Sequence, residues 1–329
     1  MDWVKSWDAL GELARWAPTP HNTQPFRIVP KSAERAELVL LTERLLPRED
    51  HGNLYVTSAF GTFARALELA ARQHGVELAV EPVSELDTHS LEKQGPRVVL
   101  GSAVQRGPIE PSAAELLLAR RTSRLPYHDR TIAPAQLETL AAHAERAGHR
   151  LIVHGAPEIV DPLLRLNAEA ILDNLMLDDE REEIRGWYRF GETAEHGDGL
   201  WQRPLNQPAW EIHAAFATPW LYQWPGFRGF AIQRYLRTQR GTRHTALLCG
   251  PFLRWPDLYA AGRMLLDFWL AMARFGIYMQ PMGSMLTNPR YVQEIARRFE
   301  VEDCWLVLRL GYSDEPPRAP RLKDIVLHE

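Results

Sequence analysis

The stretch 17-APTPHNTQPFRI-28, read together with 119-ARRTSRLPYHDRTI-132, decides how this chain folds. The first segment crowds hydroxyl and amide residues between prolines. Proline fixes the local backbone, so Thr19, Pro20, Asn22, Thr23 and Gln24 are held at little further entropic cost. Asn and Gln each offer one acceptor and two donors, a set that suits the edge of a heterocycle. In the second segment Arg120, Arg121 and Arg124 surround Thr122 and Ser123. Guanidinium forks match a phosphate monoester, and hydroxyls add short hydrogen bonds. Taken singly, the first segment also reads as a helix stop followed by a turn. The second also reads as a solvated basic turn balanced by nearby acids.

Outward from these segments the chain is ordinary globular material. It has 329 residues, 45% hydrophobic and 24% charged, enough for a large core and two domains or one fused pair. A net charge of −4 gives no basic field for nucleic acid. Two cysteines, Cys249 and Cys304, make neither a disulfide framework nor a zinc spacing, which fits a reducing cytoplasm. The histidines show no HxxxH or HExxH spacing, so no metal site is expected. The N-terminus lacks the apolar run of a signal peptide. The most apolar helix candidate, 257–276, carries Arg263, Asp267 and Arg274 and reads as a core helix, not a membrane span. Neither GxGxxG nor a Walker motif is present, which argues against a stably bound dinucleotide or nucleoside triphosphate.

Periodicity predicts helices over 6–16, 58–75, 113–121, 135–149, 257–276 and 288–300, with 157–184 mostly helical. Strands are expected at 26–30, 37–43, 77–83, 96–104, 150–156, 244–250 and 304–312, and a polar exposed loop at 84–95. The run DDEREE at 178–183 reads as a solvated helix face. The fold class is therefore α+β, with helices packed on mixed sheets. Residues 187–230 hold eleven aromatic side chains among scattered prolines and glycines and read as neither linker nor regular element. A lid, a substrate wall, a satellite core and a dimer contact all remain open for this stretch.

The first segment resembles the "APS..N.QPW" motif of the nitroreductase family, with Thr19 in place of Ser and Phe26 in place of Trp. The second resembles that family's "RRS.R" motif through Arg120, Thr122 and Arg124. LRLGY followed by PRAPRLKDIV is similar to the family's C-terminal signature. MQPMGS (279–284) is similar to the segment whose backbone N–H faces the flavin N5. The four patches stretch from one end of the chain to the other. Their order departs from the family: "RRS.R" ordinarily precedes "APS..N.QPW", whereas here it follows.

This arrangement resembles the twin-type nitroreductase-like proteins, including the Acg group. The resemblance implies a duplicated nitroreductase-like fold, a pseudo-dimer in one chain with one complete site. The first half would be 1–110 and the second 111–329, with an aromatic-rich lid at about 187–240. It implies FMN as cofactor, with Arg120, Arg124 and Arg321 on the phosphate. Arg121, Thr122, Thr19, Pro20, Asn22, Gln24, Met282 and Gly283 would be further cofactor contacts. Chemistry would be centred on the flavin near the backbone of Gly283 and Ser284, with no proton-transfer side chain required. NAD(P)H would be a transient reductant, and a nitro, quinone or unsaturated small molecule the acceptor. Two alternatives stay open: a flavin-sequestering protein without turnover, and a flavin-dependent biosynthetic oxidase or dehydrogenase. Partners beyond a small-molecule substrate are not expected. Fusion permits a monomer and does not exclude a homodimer. His21, inside the first motif, reads as a pocket-rim residue, and Met279, Met282 and Met285 as core or pocket lining.

Overall fold

A computed structural model describes residues 4–82, 87–88, 97–98, 100–106, 112–192 and 196–328. The expected polar loop 84–95 lies outside the described residues except at 87 and 88. The first part of the chain runs α1 (Val4–Ala14), β1 (Phe26–Pro30), β2 (Ala36–Leu40), α2 (Leu54–Gln73), β3 (Val76–Pro82), β4 (Arg97–Val98) and β5 (Leu100–Arg106). There follow α3 (Ser112–Ala119), α4 (Pro134–Glu145), β6 (Arg150–His154), α5 (Pro157–Asn174) and α6 (Asp178–Trp187). Next come β7 (Tyr188–Arg189), β8 (Leu200–Trp201), α7 (Gln202–Leu205), α8 (Ala209–Ala217) and α9 (Pro225–Thr238). The chain ends with β9 (His244–Cys249), α10 (Trp255–Arg274), β10 (Tyr278–Pro281), α11 (Ser284–Thr287), α12 (Pro289–Phe299) and β11 (Cys304–Gly311).

The strands form two main layers of antiparallel pairing, and the fold is α+β. One sheet has the order β1-β2-β4, and β5 pairs with β3. The other has the order β6-β9-β11-β10. β4 and β5 are separated by one residue, so the two sets run in the same sense: edge strand, strand, inner strand, second edge strand. Side-chain alternation buries Ala36, Leu38 and Leu40 of β2, whereas central β9 is buried along its whole length. Among the described residues parallel pairing is confined to β7–β8 and two single bridges, Ile28 to Val326 and Thr122 to Met279. Cys249 and Cys304, remote in sequence, are cross-strand neighbours and both free thiols.

Two long helices, α2 and α10, lie back to back between the layers. Each ends before a glycine in the left-handed region, Gly75 at φ 69° and Gly276 at φ 66°. The helices meet backbone to backbone at Gly61 and Gly262. A methyl group at Gly61 would overlap the carbonyl oxygen of Tyr259, and one at Gly262 that of Ser58. Beside this crossing Glu68 of α2 binds both Arg65 and Arg263, and Arg65 reaches Asp267 of α10 at 2.9 Å. This buried carboxylate ties the two helices through charge-assisted bonds.

Two expectations need correction. The aromatic stretch 187–230 is mostly regular: β7, β8, three helices and a 3₁₀ turn at Pro219–Gln223. Its helical period was hidden because Trp210, Trp220, Trp224, Phe227 and Phe230 face outward, while Ile212 and Ile232 bury the inner side. The acidic run lies on α6, but not all of it is solvated. Glu180 is buried beside His51, and Glu183 accepts the backbone N–H groups of Arg48 and Glu49. No described helix is long and apolar enough to cross a membrane.

Candidate functional site

A cavity of about 310 Å³ opens between the two layers, walled by both motif segments. From the first motif come Pro18, Thr19, Pro20, His21 and Asn22; from the second, Arg120, Arg121, Thr122 and Arg124. Gly283 and the tail residues Arg318 and Arg321 complete this set. Leu200, Trp201, Pro204 and Leu205 of the aromatic stretch form part of its cover.

The first segment holds its shape under strain. His21, Asn22 and Gln24 have φ of 44°, 56° and 49°, a region L-residues seldom occupy. Prolines on both sides restrict the alternatives, and the Thr19 hydroxyl accepts the Gln24 N–H at 3.0 Å. The amides act as a clamp. Asn22 Nδ2 donates to Gly199 O and Pro320 O; Gln24 Nε2 donates to Gly197 O and its Oε1 accepts Leu322 N–H. Arg44 and Arg189 add bonds of 3.0 Å each to Asp198. The start of the aromatic stretch and the C-terminal tail are thereby pinned to this loop.

The second segment lies along the edge of β10. Thr122 bridges to Met279, Ser123 N–H donates to Met279 O at 3.1 Å, and the Ser123 and Ser313 hydroxyls meet at 2.7 Å. Arg309 of β11, fully buried, donates to Leu125 O at 2.6 Å and lies 3.8 Å from the Tyr127 ring centroid. It props the turn that presents the arginines.

At one end of the cavity three arginines gather around two indoles. Arg120 lies 4.4 Å from the Trp269 ring, and Arg318 and Arg321 lie 4.8 and 5.5 Å from Trp16. Their protein hydrogen bonds go to backbone carbonyls: Trp16, Leu118, Ala319 and Pro320. None of the three forms an ion pair with a carboxylate among the described residues. Arg120 Nε and Arg321 Nε are buried with no partner. Burial, then the charges of Arg321 and Arg318, push Arg120 down to about 9; burial, then Arg318 and Arg15, push Arg321 down to about 10. Guanidinium keeps its proton at neutral pH, so the direction of these shifts reflects burial of the cations and their mutual repulsion. An anion placed among them offsets that repulsion.

A second group of residues lining the cavity is Arg124, His21, Glu49, Asp50 and Tyr55. Arg124 interacts electrostatically with Tyr188, Tyr235 and Arg309. His21 Nε2 is bonded to Glu49. Burial opposes a charge on His21, but Glu49, through its charge and hydrogen bond, outweighs burial with help from Glu183. The imidazole pKa is raised, with Arg124 acting against it. Asp50 caps α2 by accepting Tyr55 N–H at 3.0 Å and Val56 N–H at 2.7 Å. Burial drives its carboxyl up to about 7.

The folded state thus holds the Asp50 proton more tightly than the unfolded chain does. This group's contribution is complete below about pH 4 and is lost as pH rises through 7. The contribution is on the order of 4 kcal/mol across that window. Asp50→Asn is expected to flatten the fall of the melting temperature between about pH 4 and 7, at the cost of one capping bond. An unaltered slope would remove Asp50 from the account.

Most residues expected from the sequence come together here: Thr19, Pro20, Asn22, Arg120, Arg121, Thr122, Arg124, Gly283 and Arg321 line one cavity. Gln24 and Met282 do not. Both polar atoms of the Gln24 carboxamide are spent on the clamp, while Met282 packs beside Met285 and Tyr291 and its N–H is bonded to Val307 O. Asn22 keeps only its buried Oδ1 unpartnered, one acceptor and no donor. Arg121 is committed to Glu315 at 2.5 Å and to Pro316 O. Arg124 acts electrostatically on His21 and lies near Arg309, whereas Arg318 groups with Arg120 and Arg321. Sequence reading missed Arg318, Trp16, Glu49 and Tyr55. Arg318 had a local signal in the PRAPR run; the others had none, because spatial neighbourhood alone marks them.

No family model matches the chain, and no curated protein does. Several solved structures show a partial likeness. An FMN-bound nitroreductase from Bacteroides fragilis is 12% identical, covering 62% of this chain and 89% of that one, with a TM-score of 0.35. An FMN-dependent nitroreductase from Mycobacterium smegmatis in complex with NADPH is 17% identical, covering 63% and 94%, with a TM-score of 0.32. A nitroreductase-like family protein from Bacillus cereus is 13% identical, covering 62% and 87%, with a TM-score of 0.34.

Proposed function

We propose that this chain is an FMN-dependent oxidoreductase of nitroreductase type, a twin-type, Acg-like chain with one complete site. The observation that carries the reading is the trio of Arg120, buried, with Arg318 and Arg321, half-buried, none of them in an ion pair among the described residues, on a cavity walled by both motif segments. In this reading the trio holds the phosphate of FMN, with the Thr122 hydroxyl beside it. The orphaned Nε atoms of Arg120 and Arg321 and the unpartnered Asn22 Oδ1 supply hydrogen-bonding capacity that the protein leaves unused. When bound, FMN supplies hydride transfer between NAD(P)H and a nitro, quinone or unsaturated acceptor. The chain's own part is to bind and orient, with Trp201, Pro204 and Leu205 limiting water entry.

The matched strand orders and the Gly61–Gly262 crossing support a duplicated unit, 1–110 and 111–329, with a lid at about 187–240. A second reading, sequestration of FMN without turnover, is favoured by the clamp that Asn22, Gln24 and Asp198 make on the cover. Purified protein is expected to show a flavin spectrum at one FMN per chain that bleaches on anaerobic addition of NADPH. A yellow protein that stays oxidised favours sequestration. A colourless protein that FMN cannot reconstitute overturns both readings.

A further inference from the structure

We infer that His21, held by Glu49, is the proton donor to the acceptor molecule in this cavity, an inference that rests on the reading above. His21 lines the cavity on strained backbone, at φ 44°, where an unstrained turn would aim it elsewhere. Nε2 is engaged by Glu49, which also lines the cavity and whose backbone N–H is anchored on Glu183 at 2.9 Å. Nδ1 makes no hydrogen bond to the protein among the described residues and is free to serve a molecule in the cavity. A carboxylate accepting from one imidazole N–H fixes the ring and makes the other nitrogen more basic, so that nitrogen can carry a proton and deliver it.

Elimination points to the same residue. Among the other titratable side chains lining the cavity, Asp50 is spent on the first turn of α2. The Tyr55 hydroxyl donates to Trp305 O at 2.9 Å. Arginines 120, 121, 124, 318 and 321 do not release protons at accessible pH. Glu49 is the acceptor of the pair. The charged groups acting on His21 are Glu49 from the loop before α2, Glu183 from α6 and Arg124 from the second motif; against burial and Arg124, the two carboxylates raise the imidazole pKa.

The step balances as follows. The acceptor receives a hydride, two electrons and one hydrogen, from the reduced flavin that NAD(P)H recharges. An adjacent electronegative atom takes the proton from His21 Nδ1, the N–H bond breaking as the new bond to hydrogen forms. A quinone becomes a hydroquinone, and neutral imidazole, still bonded to Glu49, regains its proton from water. The cavity is therefore built for acceptors that take hydride and proton together.

The test compares a quinone with ferricyanide, which takes electrons without a proton. In His21→Gln the ratio of quinone to ferricyanide reduction rates is expected to fall about 100-fold at pH 7, with FMN content still one per chain. The alkaline fall of the wild-type quinone profile should disappear. In the flavin-free chain, histidine NMR titration should place His21 above the ordinary imidazole range in the wild type and lower in Glu49→Gln. An unchanged rate ratio in a flavin-loaded variant, or a His21 titration indifferent to Glu49→Gln, overturns this inference alone. A chain that binds no flavin overturns the proposed function and takes the inference with it.

Discussion

Arg120→Met is expected to raise the melting temperature of the flavin-free protein while weakening FMN binding about 10- to 100-fold. The two effects share one cause. Without an anion, Arg120 is a buried cation facing Arg318 and Arg321, and an uncompensated buried charge costs several kcal/mol. Methionine keeps the packing against Trp269 and removes the charge. What is lost in the flavin-free protein is one charge-assisted bond to Trp16 O at 3.0 Å, worth about 1.5–3 kcal/mol and outweighed by the cost of the buried charge. With FMN bound the balance reverses, because a charge-assisted bond to phosphate contributes about 1.5–3 kcal/mol, which sets the expected loss of affinity. Thermal melts and a flavin fluorescence titration check both halves. A destabilised empty protein with undiminished affinity would show that the trio is structural and carries no anion.

Gly262→Ala is expected to cost about 3 kcal/mol or more and to lower the melting temperature by roughly 5–10 °C. The new methyl has no free space. It meets the carbonyl oxygen of Ser58 and the backbone at Gly61, and backbone cannot rotate away as a side chain can. Relief requires α10 to move off α2. Because Trp269 and Leu265 of α10 and Ser58 and Thr62 of α2 line the cavity, the same displacement should loosen FMN. Gly226→Ala, with open space around its added methyl, is the control and should leave both melting temperature and flavin affinity unchanged. Equal behaviour of the two variants would remove the tight crossing from the account.

Element identity was largely legible in the sequence, because each long segment carries its own period. The helix predicted at 257–276 is Trp255–Arg274, and the strand predicted at 304–312 is Cys304–Gly311. The 187–230 stretch was not legible, since its aromatics face outward and mask the stripe set by Ile212 and Ile232. For the candidate site, the sequence identified the two loops that wall the cavity, because prolines, amides and clustered arginines are unusual at any position. It did not assign tasks within them. Asn22 and Gln24 carry the chemistry of ligands, yet most of their hydrogen bonds hold Gly197, Gly199, Pro320 and Leu322 in place. Which bonds an amide makes depends on neighbours more than 170 residues away in the chain.

By itself, then, the sequence determined the α+β class, the run of helices and strands, and two segments of marked chemistry, all properties written in residue type and spacing over a few turns. Tertiary structure alone decided that α2 and α10 close backbone to backbone at two glycines. It also decided that Arg318 joins Arg120 and Arg321 while Arg124 faces His21 and Glu49, and that Trp16 lies under the cationic end. These are long-range juxtapositions. Charge, hydrogen bonding and packing act over a few ångströms of space, and only the folded chain sets which residues share that space.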